Sequence, residues 1–388
     1  MLAKRLLLVA TVAFVGGALG LPGAPSRILA ADTAPTSLES GTHARPIIRK
    51  RPRFPRPEAD AGIEGWVEVS YVVKPDGSVG ETLIENSSGR KAFERATIKS
   101  IKDWRYEPAT MNGKPIEQCH TRVRIMFTLE EGPGWNRGAK KSFKNHYKRA
   151  RKLLEDGKLD EAHTKIDEIA TRFTTNHYER ARLSILRSML EEKQGDMEAK
   201  LTSLKVAALS DGEYLEPEVY GVVLLNIFNL QIHFQEYADA LGTFETLEHR
   251  DIDPETVAKL EQIANQIEEL RTSDQALAIE GEIGAAREEH HGAGMWWHTL
   301  LRRTAGIEEI SGSLERVELR CDWRRVKAKP EKGRAWRIPP EWGDCSIYVF
   351  GEPGSTFQLL EYASSESMSP ANNPDSTAGR TPEANGSR

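Results

Sequence analysis

The sequence predicts an α+β protein in three parts: an N-terminal β-β-α-β domain, an all-α array of helix pairs, and a small β-rich region. Three observations carry this reading. Residues 63–73 and 118–129 alternate apolar and polar side chains with the period of two of half-buried strands, and a stretch with helical spacing lies between them. From about residue 139 the spacing turns helical, with three similarly built joints. Five of the eight tryptophans then fall between 292 and 362, where alternation returns.

The first domain, 58–131, opens on a strand with Val67, Val69, Tyr71 and Val73 on one face and Glu68, Ser70 and Lys74 on the other. Pro75-Asp76-Gly77-Ser78 supplies a turn, because proline presets φ and glycine accepts positive φ. A second strand covers Val79 to Glu85, and a helix from about Lys91 to Trp104 brings Phe93, Ala96, Ile101 and Trp104 to one side. Pro108 stops continuation and Asn112-Gly113 makes another turn. In the last strand, Gln118 to Leu129, the inward set is Thr121, Val123, Ile125, Phe127 and Leu129. The outward set is His120, Arg122, Arg124 and Thr128.

Several phrases of this domain stand in a family's order: Gly62-Ile63-Glu64-Gly65-Trp66-Val67, Pro75-Asp76-Gly77-Ser78-Val79, Ser87-Ser88-Gly89, Trp104-Arg105-Tyr106-Glu107-Pro108-Ala109 and Asn112-Gly113-Lys114-Pro115, with Arg53-Phe54-Pro55 upstream. Over about 49–131 the chain resembles the C-terminal domain of TonB, the energy transducer of Gram-negative outer-membrane transport. The resemblance implies a non-enzymatic, periplasmic component that docks short segments of TonB-dependent outer-membrane receptors beside the last strand. An edge strand offers unpaired N–H and C=O groups to such a segment. Carried onto this sequence, the peptide-docking residues are Arg53, Phe54, Pro55, His120, Arg122, Val123, Arg124 and Ile125. Arg53 stands where the family carries a Gln. Arg122 and Arg124, pointing outward, are expected to pair with acidic residues flanking the peptide.

Residues 1–31 read as a signal peptide or short anchor: Lys4-Arg5, then the apolar run Leu6 to Val15, then small residues at Ala18-Leu19-Gly20 or Ala30-Ala31. As a helix, Leu6 to Leu21 would span about 24 Å, short of a hydrocarbon core of about 30 Å. The expected location is the periplasm of a Gram-negative cell envelope, with inner-membrane anchoring through this segment left open. Residues 32–57 form a linker rich in Pro, Ser, Thr and Arg. That linker is shorter than the family's Pro-rich spacer, and residues 1–21 lack the Ser and His of the family's anchor. The hydrophobic fraction of 39% and charged fraction of 29% are those of a soluble globular chain. A net charge of −5 gives no reason to expect nucleic acid as a partner.

The helical part spans 139–290. The strings Asp156 to Ala162, Lys193 to Ala199 and Phe234 to Ala240 each join two helices, with small residues for close packing. The alanines Ala162, Ala199 and Ala240 lie 37 and 41 residues apart, looser than the roughly 34 of a regular tetratricopeptide repeat. The array resembles a degenerate tetratricopeptide array, whose stacked pairs bind other envelope proteins or serve as a spacer. A scaffold in which this array binds the main partner is the alternative function. The basic start, Lys140 to Lys152, is either a solvated face or a peripheral membrane contact.

In 292–362, Val317 to Trp323, Cys345 to Phe350 and Phe357 to Leu360 read as strands, and the tryptophans either fill a small core or stack on sugars. Cys321 and Cys345 are expected to form a disulfide in an oxidising compartment, leaving Cys119 as a partly buried thiol. Residues 363–388, nearly free of apolar side chains, form an expected disordered tail. Nothing in the chain points to catalysis, a cofactor or a metal. No phosphate loop, nucleophile elbow or metalloprotease motif occurs. His290-His291 with His298 read as polar residues at a helix end rather than a metal site, and the acidic pairs Glu288-Glu289 and Glu308-Glu309 as solvated faces rather than a catalytic dyad.

Overall fold

The computed structural model describes residues 41–129, 138–285 and 294–363. All of them lie within one compact unit, Glu39–Arg388. The leader, the histidine pair His290-His291 and the tail expected from the sequence lie outside the described residues.

The first domain is a three-stranded antiparallel sheet with one helix on its inner face. Strand β3 (Gly65–Val73) is central, between β4 (Val79–Ser87) and β8 (Gln118–Phe127), and α2 (Lys91–Lys102) crosses behind. Val67, Val69, Tyr71, Val73, Ile84, Phe93, Ile101, Trp104 and Phe127 form its core; Leu129, expected on the inner face, is 42% exposed because β8 ends at Phe127. The β3–β4 turn requires its glycine. Gly77 has φ of 76°, and a Cβ there would collide with the Tyr106 carbonyl. Asp76 Oδ1 accepts from the Ser78 amide (2.9 Å) and hydroxyl (2.6 Å), closing the turn.

Part of the expected linker is structured. β1 (Gly41–Thr42) pairs with β6 (Ala109–Met111), which also pairs with β7 (Lys114–Ile116). β2 (Arg45–Ile48) pairs with β5 (Arg105–Glu107), and α1 (Arg56–Asp60) follows. A composition rich in Pro and Arg hides these strands because their side chains stay exposed, so no hydrophobic period marks them.

Seven helices succeed: α3 (Lys141–Glu155), α4 (Leu159–Arg172), α5 (His177–Gln194), α6 (Met197–Ala207), α7 (Pro217–His233), α8 (Tyr237–Glu248) and α9 (Pro254–Thr272). Consecutive helices pack on one another. The expected joints fall between α3 and α4, α5 and α6, and α7 and α8, with Gly157 and Gly195 left-handed at the first two. Asn176 and Glu179 close a capping box at the start of α5.

The helical part ends earlier than 290. Leu277–Glu282 is a strand, β9, whose side chains alternate buried and exposed. The sequence bounds of the helical part, 139–290, enclose it without assigning it an element. The C-terminal region is two four-stranded antiparallel sheets. One runs β10 (Gly294–Thr299), β15 (Cys345–Gly351), β12 (Leu314–Cys321), β13 (Arg325–Ala328). The other runs β14 (Ala335–Arg337), β11 (Thr304–Ser311), β16 (Thr356–Glu361), β9. Their inner faces share one core with α6–α9 through residues such as Ile279, Ile307, Val349 and Leu359. Cys321 and Cys345 are register partners across β12–β15 and are joined in a disulfide.

The outer face of the β12–β15 sheet lies on the outer face of the first domain. Leu83 packs with Tyr348 and Phe350, flanked by Met295 and Trp297. Glu318, fully buried, holds Arg320 (2.9 Å) and Arg325 (2.9 Å). Arg320 Nη1 donates to Ser70 Oγ (3.1 Å), and Arg325 and Lys327 both reach Glu81. The acid and the arginines that the alternation of β12 turns outward are therefore buried against a neighbouring domain, paired as buried charges must be.

Candidate functional site

The site grows out of the sheet order. Strand β8 pairs with β3 on one side only, so among the described residues its other edge carries no strand. A β-bulge between Tyr71 and Val73 shifts the register. Thr121, Val123, Ile125 and Phe127 stay on the inner face, while Gln118 replaces Cys119 there. Cys119 is fully buried, and burial followed by the neighbouring Glu117 carboxylate pushes its thiol well up from the usual range.

An open groove of about 740 Å³ runs along the free edge. One wall is the extended segment 49–54. Its register is held where Trp104 Nε1 (2.8 Å) and Ser100 Oγ (2.7 Å) both donate to the Lys50 carbonyl. Phe54 sets its edge against Phe93 (5.6 Å) and Phe127 (5.7 Å), tying the segment into the core. The floor is Val123 to Thr128, and the opposite wall is Glu213 and Tyr214 from the helical array. Arg49, Lys50, Arg51 and Arg124 face a single carboxylate, Glu213, so the lining is basic.

Both ends of the edge are closed. Gln118 Oε1 accepts from the Ala44 amide (2.7 Å) at one end. At the other, His177 Nε2 lies 3.1 Å from the Phe127 carbonyl, and its ring packs on Tyr214 at 4.8 Å. Buried Glu64 fixes this corner by accepting from the amides of Leu129 (2.9 Å) and His177 (3.1 Å). The open backbone thus runs between about residues 119 and 126, long enough for a short extended segment.

The expected residues separate into groups. Val123, Ile125, Arg124 and Phe54 line the groove. Pro55 caps the start of α1, and Arg53 is exposed outside the groove lining. His120 occupies its position in β8. Arg122 needs correction. Its Nε pairs with Glu85 at 2.5 Å, and its guanidinium stacks on Trp297 at 4.4 Å beside the Tyr348 hydroxyl (3.4 Å). Its side chain is 30% exposed, close to the 34% of Arg124, so its partners and not its exposure set it apart. It belongs to the contact with the C-terminal sheets, through Trp297 and Tyr348. Arg124 pairs with Glu68 at 3.1 Å and remains at the rim. The sequence reading missed Glu213, Tyr214 and His177, which carry no local signal linking them to a strand 50 or more residues earlier.

Comparison with known proteins decides what this domain is. Residues 50–129 match the family model described as Gram-negative bacterial TonB protein C-terminal. These residues form a TonB C-terminal domain. Protein TonB of Escherichia coli (strain K12) is 38% identical over 80 residues, covering 21% of this chain and 31% of that protein. Protein TonB of Vibrio cholerae serotype O1 is 28% identical over 105 residues, covering 25% of this chain and 43% of that protein. The chain therefore spans less than half the length of these relatives. The solution NMR structure of the Pseudomonas aeruginosa TonB C-terminal domain aligns at 24% identity and a TM-score of 0.21, covering 24% of this chain and 91% of that one.

Beyond the TonB domain, His298 is buried against Glu361 at 3.2 Å, a structural pair. Among the described residues no group of three or more His, Cys, Asp or Glu is set to hold a metal. No described helix is long and apolar enough to cross a membrane.

Proposed function

We propose that the chain is a periplasmic, non-enzymatic component of outer-membrane transport whose TonB C-terminal domain docks an extended receptor segment onto the free edge of β8. The carrying observation is that edge itself, strand-free among the described residues, closed at both ends and lying at the bottom of a groove. Added backbone hydrogen bonds supply affinity, and alternate side chains of the guest meet Val123, Ile125 and the 49–54 wall. The basic lining favours a segment flanked by acidic residues. In the same reading, α3–α8 are three tetratricopeptide-like pairs that supply the second wall and recruit other envelope proteins.

The test is photo-crosslinking in cells from Val123 and, separately, from the exposed face of α3. Outer-membrane receptors captured from Val123 are the expected result. Capture of soluble proteins from α3, with nothing from Val123, would move the function to the array and overturn docking at β8.

A further inference from the structure

Away from β8, a second polar cavity opens where the TonB domain meets the helical array. Its outer part, about 550 Å³, is lined by Ser88 to Ala92, Arg95, Thr174 and Arg180. An inner chamber of about 250 Å³ shares Ser88, Ala170, Thr174 and Arg180 with it and is lined further by Trp66, Ser184 and Thr202. The first turn of α2 forms one side of the outer part, and Arg90 at its N-cap offers no side-chain cap. The positive end of the helix dipole points there, while the Phe93 and Glu94 amides are taken by the Arg90 carbonyl.

Two further observations point to a ligand. Trp66 is 1% exposed, yet its Nε1 has no hydrogen-bond partner, and neither has the buried Nε of Arg180. Buried donors are nearly always satisfied, so two unsatisfied ones on one chamber call for an acceptor. The charge is equally one-sided. Arg90, Lys91, Arg95 and Arg180 line the outer part against one carboxylate, Glu58, one of whose oxygens is also buried without a hydrogen-bond partner, and Glu64 and Glu179 act on Arg180 from behind the lining. Among the described residues neither Arg90 nor Arg95 has an ion-pair partner. Burial, with Arg90 next, pushes the Arg180 guanidinium down to about 10, as crowded like charges would.

We propose that this cavity binds a small phosphate-bearing molecule, its phosphoryl oxygens held by Arg90, Arg95, Arg180 and the start of α2, and a hydroxylated body accepting from Trp66 in the inner chamber. Phosphate at a helix start among arginines is a geometry that fixed donors favour. A site of this size takes one small molecule. Because Arg180 also donates to the Glu64 carbonyl (3.2 Å), the occupant would sit on the contact that holds the array to the TonB domain.

The test is calorimetric titration of the full chain at low salt with inorganic phosphate and with glycerol 3-phosphate, using chloride at matched ionic strength as the control. Flotation with phosphatidylglycerol vesicles, against phosphatidylcholine, separates a lipid headgroup from a soluble source. The expected result is saturable binding of a phosphate probe, weakened about tenfold or more by Arg90→Gln with Arg95→Gln, the effect of losing one charge-assisted hydrogen bond or more. Those two side chains lie at the rim, so their loss leaves the fold intact. Arg180→Gln should abolish binding, and a ligand-induced rise in melting temperature, absent in the double variant, reports the same event. Binding of vesicles alone, lost in the double variant, assigns the phosphate to a headgroup. Heats that do not saturate with any probe, or that the double variant leaves unchanged, overturn the proposal.

Discussion

Single residues here serve more than one contact, and substitutions reveal which contact dominates. Trp104 fills the core of the TonB domain and also donates to Lys50, so it carries both the fold and one wall of the groove. Trp104→Ala should cost about 3–5 kcal/mol, read as a lowered denaturation midpoint. Glu81 tests the contact between the TonB domain and the C-terminal sheets. Burial opposes its ionised form, but Arg325 and Lys327 outweigh it and hold the carboxyl at about 2, from an ordinary 4.5. A depressed carboxylate contributes stability above the unfolded value, and that contribution is lost as pH falls through the folded one. The gap in melting temperature between the parent and Glu81→Gln should therefore be constant above pH 4.5 and close on approach to pH 2. With more than half of the Glu81 side chain exposed, screening keeps the gap small. A gap that persists unchanged at pH 2 would mean that Glu81 and its cations are not coupled.

At the scale of elements, β8 shows what was legible in the sequence and what was not. The alternation of Val123, Ile125 and Phe127 identifies the inner face correctly, because a period of two needs only local sequence. Position on the outer face is not the same as exposure, and here the alternation misleads. Glu318 points outward from its own sheet and is buried against the neighbouring domain, while Arg122, still partly exposed, is held by Glu85, Trp297 and Tyr348. The two arginines of β8 should consequently respond differently to charge reversal. Arg122→Glu would set a carboxylate beside Glu85, whose side chain is 2% exposed, and should destabilise the chain by about 3 kcal/mol, as breaking a buried pair does. Arg124→Glu loses a rim pair worth about 1 kcal/mol at most, and should weaken binding of an acidic receptor peptide in a salt-dependent way. Equal peptide affinity for the Arg124→Glu variant and the parent at low salt would place the acidic flank elsewhere. In the C-terminal sheets, β12 and β15 were readable and β9 was not. Its short run of Leu277, Ala278 and Ile279 follows an acidic helix without a glycine or proline break, so periodicity alone does not separate the two.

The whole molecule joins what the sequence presents as separate parts. A family resemblance covering about a fifth of the chain identifies the TonB domain, but it says nothing of what the remaining residues do to that domain. They pack β12 and β15 on its outer face, close one end of the free edge of β8 with His177, and raise a second groove wall with Glu213 and Tyr214. Such contacts between distant segments leave no periodic trace in the sequence. One consequence is measurable at Cys119. The register shift in β3–β8 turns it to the outer face, near Arg320 and Arg325, where it is fully buried. In the intact chain, with the Cys321–Cys345 disulfide unreduced, Cys119 should be the single thiol and should resist alkylation until denaturant is added. Mass spectrometry of tryptic peptides would read both points at once. A fragment of residues 41–129 has the same inner core but no cover over Leu83 and Cys119, so its thiol should react without denaturant while the circular dichroism of the sheet persists. A Cys119 equally protected in a folded fragment would show that the TonB domain shields this face by itself, and that the C-terminal sheets rest on it without closing it.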